Sequence, residues 1–253
     1  MGLEKVRLDK LMVDRLVVAS RERAQALILA GRVMVDEQKV EKPGTPVALD
    51  AVLRLLGDDL KFVGRGGLKL EKALDYWGIS VEGLACVDVG ASTGGFTDCM
   101  LQRGAKSVLA IDTGYGQIAE KLRSDPRVKL MERTNARLLE AGSLAAEGLG
   151  FLAMDVSFIS ATLVLPAMLG AIAEDGTAWA GEAVILVKPQ FEAGREHVGK
   201  GGIVRTQAAR QLAIDRVAQC ADGLGATAIQ IIESPITGME GNHEYLLRAR
   251  FGA

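Results

Sequence analysis

The sequence predicts an α/β protein in which a small α+β module precedes a doubly wound domain built on a parallel sheet. Three observations carry this expectation. From residue 85 onward, short apolar runs rich in Val, Ile and Leu alternate with helical stretches, as buried parallel strands and their crossover helices do. The first of these runs leads into a glycine-rich turn, Gly90 to Gly95, and then into a helix start. The first 50 residues instead hold two short amphipathic helices and a hairpin, a segment too small to do much chemistry alone.

At 253 residues the chain has room for one α/β domain of ordinary size and a small appendage. A hydrophobic content of 49% supports a full core, and 4% aromatic residues suits Ala/Leu/Val helices over a Val/Ile sheet. With a net charge of −2, a nucleic-acid partner must be held by a local basic face rather than by overall charge. Cys86, Cys99 and Cys220 are odd in number and scattered, so neither a disulfide nor a zinc site is expected. The start Met-Gly-Leu-Glu-Lys-Val-Arg has no secretory pattern. The longest apolar stretch, 161–173, is broken by Pro166 and Gly170 and is too short to span a bilayer. A soluble cytoplasmic protein with no membrane partner is the expectation.

Taken in order, residues 7–18 place Leu8, Leu11, Met12 and Leu16 at helical spacing. Ser20 caps a second helix whose apolar face is Ala24, Leu27 and Ile28, and Gly31 ends it in left-handed backbone. Residues 32–35 and Val40 read as short strands around a polar turn. Asp36-Glu37-Gln38 lacks the Asn-Gly or Asp-Gly pair that favours a tight hairpin, which weakens the turn. Arg7-Leu8-Asp9-Lys10-Leu11, then Ser20-Arg21 with Ala24, then Gly31-Arg32-Val33 with Val35, resembles the S4-like RNA-binding domain of a ribosomal protein and several RNA-modifying enzymes. The resemblance implies that Arg7, Lys10, Arg21, Arg23 and Arg32 lie on or beside a face that meets RNA phosphates. Nine Lys/Arg against eight Asp/Glu in residues 1–50 would not show this alone.

Residues 41–61 hold two prolines and two glycines and are expected to contain the domain boundary, with 1–60 as module and linker and 61–253 as the second domain. A helix from Gly67 then aligns Leu70, Leu74 and Trp77 on one face and Lys69, Lys72 and Tyr76 on another. Lys69 is thereby exposed near a helix N-terminus, close behind Arg65. Its charge opposes the helix dipole and calls for an anionic partner.

Residues 85–89 form the first strand of the sheet. Gly90, Ala91, Ser92, Thr93, Gly94, Gly95 and Phe96 follow as a loop and helix N-terminus that brings backbone N–H groups against a ligand. The spacing Gly-x-x-x-Gly-Gly differs from the dinucleotide fingerprint, so a nicotinamide cofactor is not the first choice. Asp88, just before the loop, suits the ammonium of S-adenosylmethionine. The second strand, 107–112, ends in Asp112, 22 residues beyond Gly90, where a carboxylate accepts hydrogen bonds from ribose hydroxyls. Residues 128–131 form the third strand, and Asn135 beyond it is a candidate for the adenine edge.

The fourth strand, 150–155, ends in Asp155, and the fifth, 183–188, ends in Lys188. A lysine closing an apolar run is a candidate for a depressed pKa, because desolvation disfavours its charged form. Residues 190–202, rich in glycine and charge, read as a mobile substrate lid. A helix over 206–220 and strands over 226–232 and 245–249 complete the domain, with Gly241-Asn-His-Glu244 before the last strand. Ligands of doubly wound sheets bind outside the carboxyl ends of the strands, so Asp88, Gly90, Asp112, Asp155 and Lys188 share a crevice that Lys69 and Glu244 can join. Two lysines and two acids there suit deprotonation and alignment of a poorly acidic hydroxyl for in-line attack on a sulfonium methyl. No metal is needed, and His197 and His243 lack a ligand pattern.

The order Lys69, Asp155, Lys188, Glu244 resembles the Lys-Asp-Lys-Glu tetrad of FtsJ-like ribose 2′-O-methyltransferases. With the S4-like segment, the chain resembles the hemolysin A (TlyA) family of rRNA 2′-O-methyltransferases. The stretches that carry this are Arg65-Gly-Gly-Leu-Lys-Leu, 88–98, Glu132-Arg-Thr-Asn-Ala-Arg, Lys188-Pro-Gln-Phe-Glu and Gly241-Asn-His-Glu. The resemblance implies a Rossmann-like, seven-stranded class I methyltransferase domain with S-adenosylmethionine as cofactor and rRNA of the small or large ribosomal subunit as partner. It implies cytidine ribose as substrate class, Lys188 as central proton acceptor, and Lys69, Asp155 and Glu244 as its aligning partners. Gly64 stands where many relatives have serine.

Other readings have less support. A pore-former needs a span or a strongly amphipathic helix. A base N-methyltransferase wants Asn/Asp-Pro-Pro-Tyr/Phe after the fourth strand, and Asp155-Val-Ser-Phe158 lacks both prolines. A pseudouridine synthase has its aspartate in an Arg-Leu-Asp context, but Arg7-Leu8-Asp9 lies within the first helix and the glycine loop would go unexplained. A non-catalytic RNA-binding protein would not require all four tetrad positions.

Overall fold

The computed structural model describes residues 5–252, apart from 16, 19, 57–60, 175–176 and 239–240. It divides into two units, Met1–Lys61 and Phe62–Ala253. In the first, the elements are β1 (Lys5–Arg7), α1 (Leu8–Asp14), α2 (Arg21–Leu29), β2 (Val33–Val35), β3 (Gln38–Val40), β4 (Pro46–Ala48) and β5 (Leu53–Leu55). Leu8, Leu11 and Met12 share a core with Ala24, Leu27, Ile28 and Val33. Leu16, expected on the same face, lies outside the described residues, and α1 ends at Asp14. Ser20 Oγ accepts from the Arg23 N–H at 3.3 Å, and Gly31 has a φ of 65°.

The hairpin is tighter than its sequence suggested. Val35 pairs with Gln38, which leaves Asp36 and Glu37 as a two-residue turn with φ of 49° and 62°. The turn gains bonds that offset its left-handed backbone. Asp36 accepts from the Val52 N–H at 2.8 Å, and Glu37 pairs with Arg54 at 2.6 Å. Strands β4 and β5 were not expected, because both fall inside the segment read as containing the boundary. β4 pairs with β1 and β5 with β2, each antiparallel. At three residues each, they are too short for periodicity to register.

The second unit contains α3 (Gly66–Trp77), β6 (Ala85–Val89), α4 (Gly95–Gln102), β7 (Ser107–Ile111), α5 (Glu120–Arg123), β8 (Val128–Met131), β9 (Leu149–Met154), α6 (Ala161–Ile172), β10 (Gly181–Val187), α7 (Pro189–Glu192), α8 (Gln207–Gly223), β11 (Ala226–Glu233) and β12 (Tyr245–Phe251). The sheet order is β11-β12-β10-β9-β6-β7-β8. Strands β6 to β10 run parallel, and β12 runs antiparallel to both neighbours. The order reverses between β6 and β9, the switch point where ligands bind such sheets. Side chains alternate between two apolar layers. Val87, Val89, Leu152, Met154, Ile185 and Val187 join the layer of α6 and α8, while Cys86, Val108, Phe151, Val184 and Leu186 join that of α3 and α4. Burial on both faces is why these strands read as continuous apolar runs.

Helix α6 runs through Pro166. A proline cannot donate to the carbonyl four residues back, and here the Cys220 thiol donates to that oxygen, on Thr162, at 3.7 Å. The three cysteines are free thiols. Among the described residues, no helix is long and apolar enough to cross a membrane.

Candidate active site

The glycine loop is built around two backbone constraints. Gly90, at φ 86°, lies against the Asp155 backbone carbonyl, where a Cβ would collide. Gly94, at φ 94°, lies against Leu122 in the same way. Between them Ser92 adopts a φ of 50°, held because its N–H donates to Asp112 Oδ2 at 2.7 Å. Asp112 Oδ1 accepts from the Gly114 N–H at 2.6 Å. One carboxylate at the end of β7 thus shapes the loop after β6.

Beneath the loop, Asp88 is fully buried. Its Oδ2 accepts from the Thr97 N–H at 2.9 Å and the Thr97 hydroxyl at 2.6 Å. Its Oδ1 is buried and meets no donor among the described residues. Burial, reinforced by Asp155 and Asp112, pushes the Asp88 carboxyl up to about 7. Asp98, at the start of α4, accepts from the Val63 N–H at 2.8 Å and pairs with Lys121 at 3.0 Å, fastening the approach to α3 onto the loop's helix.

Beside the loop opens a cavity of about 790 Å³, bordered by Gly90 to Thr93, Gly95, Phe96 and all four tetrad residues. Lys188 Nζ lies 2.6 Å from Asp155 Oδ1 and donates to Ser157 Oγ at 2.7 Å. Lys69 Nζ donates to Glu244 Oε2 at 2.5 Å. Lys69 is buried, not exposed as its helical position suggested, because Glu244 supplies the anionic partner inside the cavity wall. Lys188, which closes its apolar strand, has a carboxylate and a hydroxyl beside its Nζ. Glu244 reaches the carboxyl edge because β12 is antiparallel, so its first end lies where the parallel strands finish.

Sequence reasoning missed several residues of the cavity. Ser157 is one, and Phe158 is another, almost fully exposed at φ 64° with its ring 5.5 Å from that of Phe191. Gln190 also borders the cavity, and its Oε1 is buried without a donor among the described residues. The run Lys188-Pro-Gln-Phe was the available signal. Asn135 is not brought into the lining; it is exposed, and its Oδ1 accepts from the Arg137 N–H at 3.1 Å. The segment read as a lid holds helix α7, whose Glu192 accepts from Ser160 Oγ at 2.5 Å and the Ala161 N–H at 2.7 Å.

In the first unit, the cations implied for RNA contact are not all equally available. Arg7 and Arg21 each lie 2.9 Å from the buried carboxylate of Asp9, which also accepts from Gln25 at 2.9 Å. Arg32 donates to the Leu56 carbonyl at 2.9 Å, and Arg23 is half-buried. Lys10 is exposed, as is Arg65, which borders the cavity of the second unit. Asp9, the residue of the Arg-Leu-Asp context, is committed to these cations. His197 and His243 are partly exposed, and among the described residues no group of three His, Cys, Asp or Glu is placed to hold a metal.

An orphaned buried carboxylate oxygen, a glycine cradle and a second carboxylate at the next strand end fit a nucleoside cofactor carrying an ammonium. With the sheet order, they define a Rossmann-like methyltransferase domain. The chain belongs to the FtsJ-like methyltransferase family, whose profile matches residues 62–251, and an S4 domain profile matches residues 6–53. It is 42% identical over 247 residues to 16S/23S rRNA (cytidine-2′-O)-methyltransferase TlyA of Mycobacterium tuberculosis, covering 97% of this chain and 90% of that one. Hemolysin A of Brachyspira hyodysenteriae is 40% identical over 245 residues, covering 95% of this chain and 98% of that one. A solved structure of a hemolysin-named protein from Streptococcus thermophilus superposes with a TM-score of 0.73 at 40% identity, covering 100% of this chain and 90% of that one.

Proposed function

We propose that this chain transfers a methyl group from S-adenosylmethionine to the 2′-hydroxyl of a cytidine ribose in rRNA, acting on ribosomal subunits in the cytoplasm. The observation that carries the proposal is the meeting of Lys69, Asp155, Lys188 and Glu244 around one cavity beside the glycine loop. The name of the mycobacterial relative points to the same substrate class.

When bound, the cofactor supplies an electrophilic sulfonium methyl. The residues proposed to hold it are Asp88, the loop from Gly90 to Phe96 and Asp112, with Asp155 at its border. Lys69 and Glu244 form one wall of the substrate half, and Lys188 with Asp155 forms the other. A ribose hydroxyl is a weak acid, so the chain must compensate charge on its oxygen as attack proceeds. Lys188 Nζ does this, and the hydroxyl proton passes to the Lys188–Asp155 pair. Aligning the oxygen with the methyl is the remaining contribution, and two fixed ion pairs suit it. In the first unit, Lys10 and the outer faces of Arg7, Arg21, Arg23 and Arg32 are proposed to meet RNA phosphates, with Arg65 doing so at the cavity.

Incubation with isotope-labelled S-adenosylmethionine and purified ribosomal subunits, followed by nucleoside analysis, tests this. Label on a ribose oxygen is expected. Label on a base would move the chain to base N-methylation.

A further inference from the structure

Asn242 belongs to the stretch Gly241-Asn-His-Glu, and the proposed chemistry uses only Glu244. Asn242 is nonetheless 1% exposed, and its amide makes one bond as donor and one as acceptor. Its Nδ2 donates to the Gly202 carbonyl at 2.9 Å, while its Oδ1 accepts from the Val204 N–H at 2.9 Å. Its backbone carbonyl accepts from the Gly238 N–H at 2.9 Å.

These bonds join two parts of the cavity wall to the segment that carries Glu244. Val198 and Gly202 border it from the crossover after α7, and Gly238 borders it from the segment after β11. That crossover is folded on itself, with the Gly199 N–H donating to Ile203 at 3.0 Å and the Gly202 N–H to Gly199 at 3.1 Å. At its near end Glu192 is tied to Ser160 and Ala161; at its far end Asn242 ties it to the segment before β12, while Arg210 of α8 donates to the Val204 and Arg205 carbonyls at 3.2 Å each. Two residues beyond Asn242, Glu244 is clamped by its backbone carbonyl accepting from the Ser234 N–H at 2.9 Å. Gly238 lies directly against Glu244 Oε1, so close that a Cβ there would displace it.

We infer that Asn242 is a positioning residue for the methyl acceptor: it clasps the 199–204 turn to the segment that carries Glu244, so that the cavity wall at Val198 and Gly202 and the acid of the Lys69 pair are held in register. This rests on the proposed ribose methylation for its substrate class. Asparagine suits the task because one planar group presents a donor and an acceptor side by side, matching a carbonyl and an N–H two residues apart. The bond from the Val204 N–H is buried, so water cannot replace it without opening the turn, and the bond to the Gly202 carbonyl is partly buried.

The test compares the full-length protein with Asn242→Ala and Asn242→Asp. Asn242→Ala should speed hydrogen exchange at the Val204 and Gly199 amides. It should lower kcat on ribosomal subunits about 10- to 100-fold, the cost of misplacing a reacting group. KM for the subunits, set by phosphate contacts elsewhere, should change little. Calorimetry should find cofactor affinity and one-to-one stoichiometry unchanged, which separates misplacement from a loss of folded protein. Asn242→Asp keeps the size and the acceptor for Val204, so it should retain Val204 protection and recover part of kcat; it also serves if the alanine variant does not fold. Unchanged exchange in Asn242→Ala overturns the clasp. Faster exchange with unchanged kcat, or cofactor affinity falling in parallel, overturns the positioning role. Absence of ribose label with the unaltered protein counts against the proposed function instead, and the exchange readout of the clasp stands apart from it.

Discussion

Lys69 Nζ and Glu244 Oε2 stand 2.5 Å apart across 175 residues of sequence, and both side chains are nearly excluded from solvent. Such a pair costs desolvation on both sides, and removing one partner strands the other charge in the cavity wall. Lys69→Met or Glu244→Gln should therefore each lower stability by about 3–5 kcal/mol. The double variant Lys69→Met/Glu244→Leu should regain most of that loss in denaturant titration while staying inactive. Equal stability of the single and double variants would deny the pair its structural weight.

Lys188→Ala should remove methyl transfer while leaving cofactor binding intact. Proton-handling groups typically contribute about 10²- to 10⁴-fold, so single-turnover rates should fall by at least the lower bound. Turnover near that of the unaltered protein would reassign the proton to another group.

Asp88 gives a pH signature. Its carboxyl is pushed up to about 7, first by burial and then by Asp155 and Asp112. A raised folded-state pKa favours the protonated form, so Asp88's contribution to stability is fully present below the ordinary carboxylate range. It is lost as pH rises toward about 7. A bound ammonium reverses this by favouring the carboxylate. Binding of S-adenosylmethionine near pH 6 should then release protons, visible as a binding enthalpy that depends on the buffer's ionisation enthalpy. Asp88→Asn should abolish that dependence.

Asp112→Ala should weaken cofactor affinity by calorimetry, because it removes the proposed ribose acceptor and frees Ser92 from its left-handed conformation. A loss of about 1–3 kcal/mol is expected for the unmade bonds. An unchanged affinity would place the ribose elsewhere.

Lys10→Glu should weaken binding to rRNA and flatten its salt dependence, the change expected when a phosphate contact is lost. Asp9→Ala is the companion variant. The Arg7 guanidinium holds the Asp9 carboxyl well below the usual carboxylate range, with Gln25 and Arg21 adding to the effect. Asp9 thus stabilises its unit above about pH 4, where an unfolded carboxylate is ionised, and the contribution fades as pH falls further. Hydrogen exchange in α1 and α2 should quicken in Asp9→Ala at neutral pH and differ little from the unaltered protein in strong acid.

Much of this architecture was legible in residue order. The strands of the sheet showed as apolar runs because burial on both faces leaves no polar alternation to confuse them. Asp88, Asp112, Asp155 and Lys188 were legible as a group because each closes or nearly closes such a run. The three-residue strands β4 and β5 were not, since hydrophobic period has no meaning over so short a span. The exposed placement of Lys69 failed for another reason: helical period assigns a face, and the face it assigned proved to be lined by Glu244.

The sequence by itself determined the two-part layout, the glycine loop and the charged residues at the strand ends, because local backbone needs and burial leave direct marks in residue type. Only the tertiary structure decided how those charges pair. It placed Lys69 on Glu244, Lys188 on Asp155 and Ser157, and Asn242 across the 199–204 turn. Each of those partnerships depends on the direction of β12 and the path of a crossover. Such long-range pairings are set by packing of the whole sheet, and no window along the chain contains them.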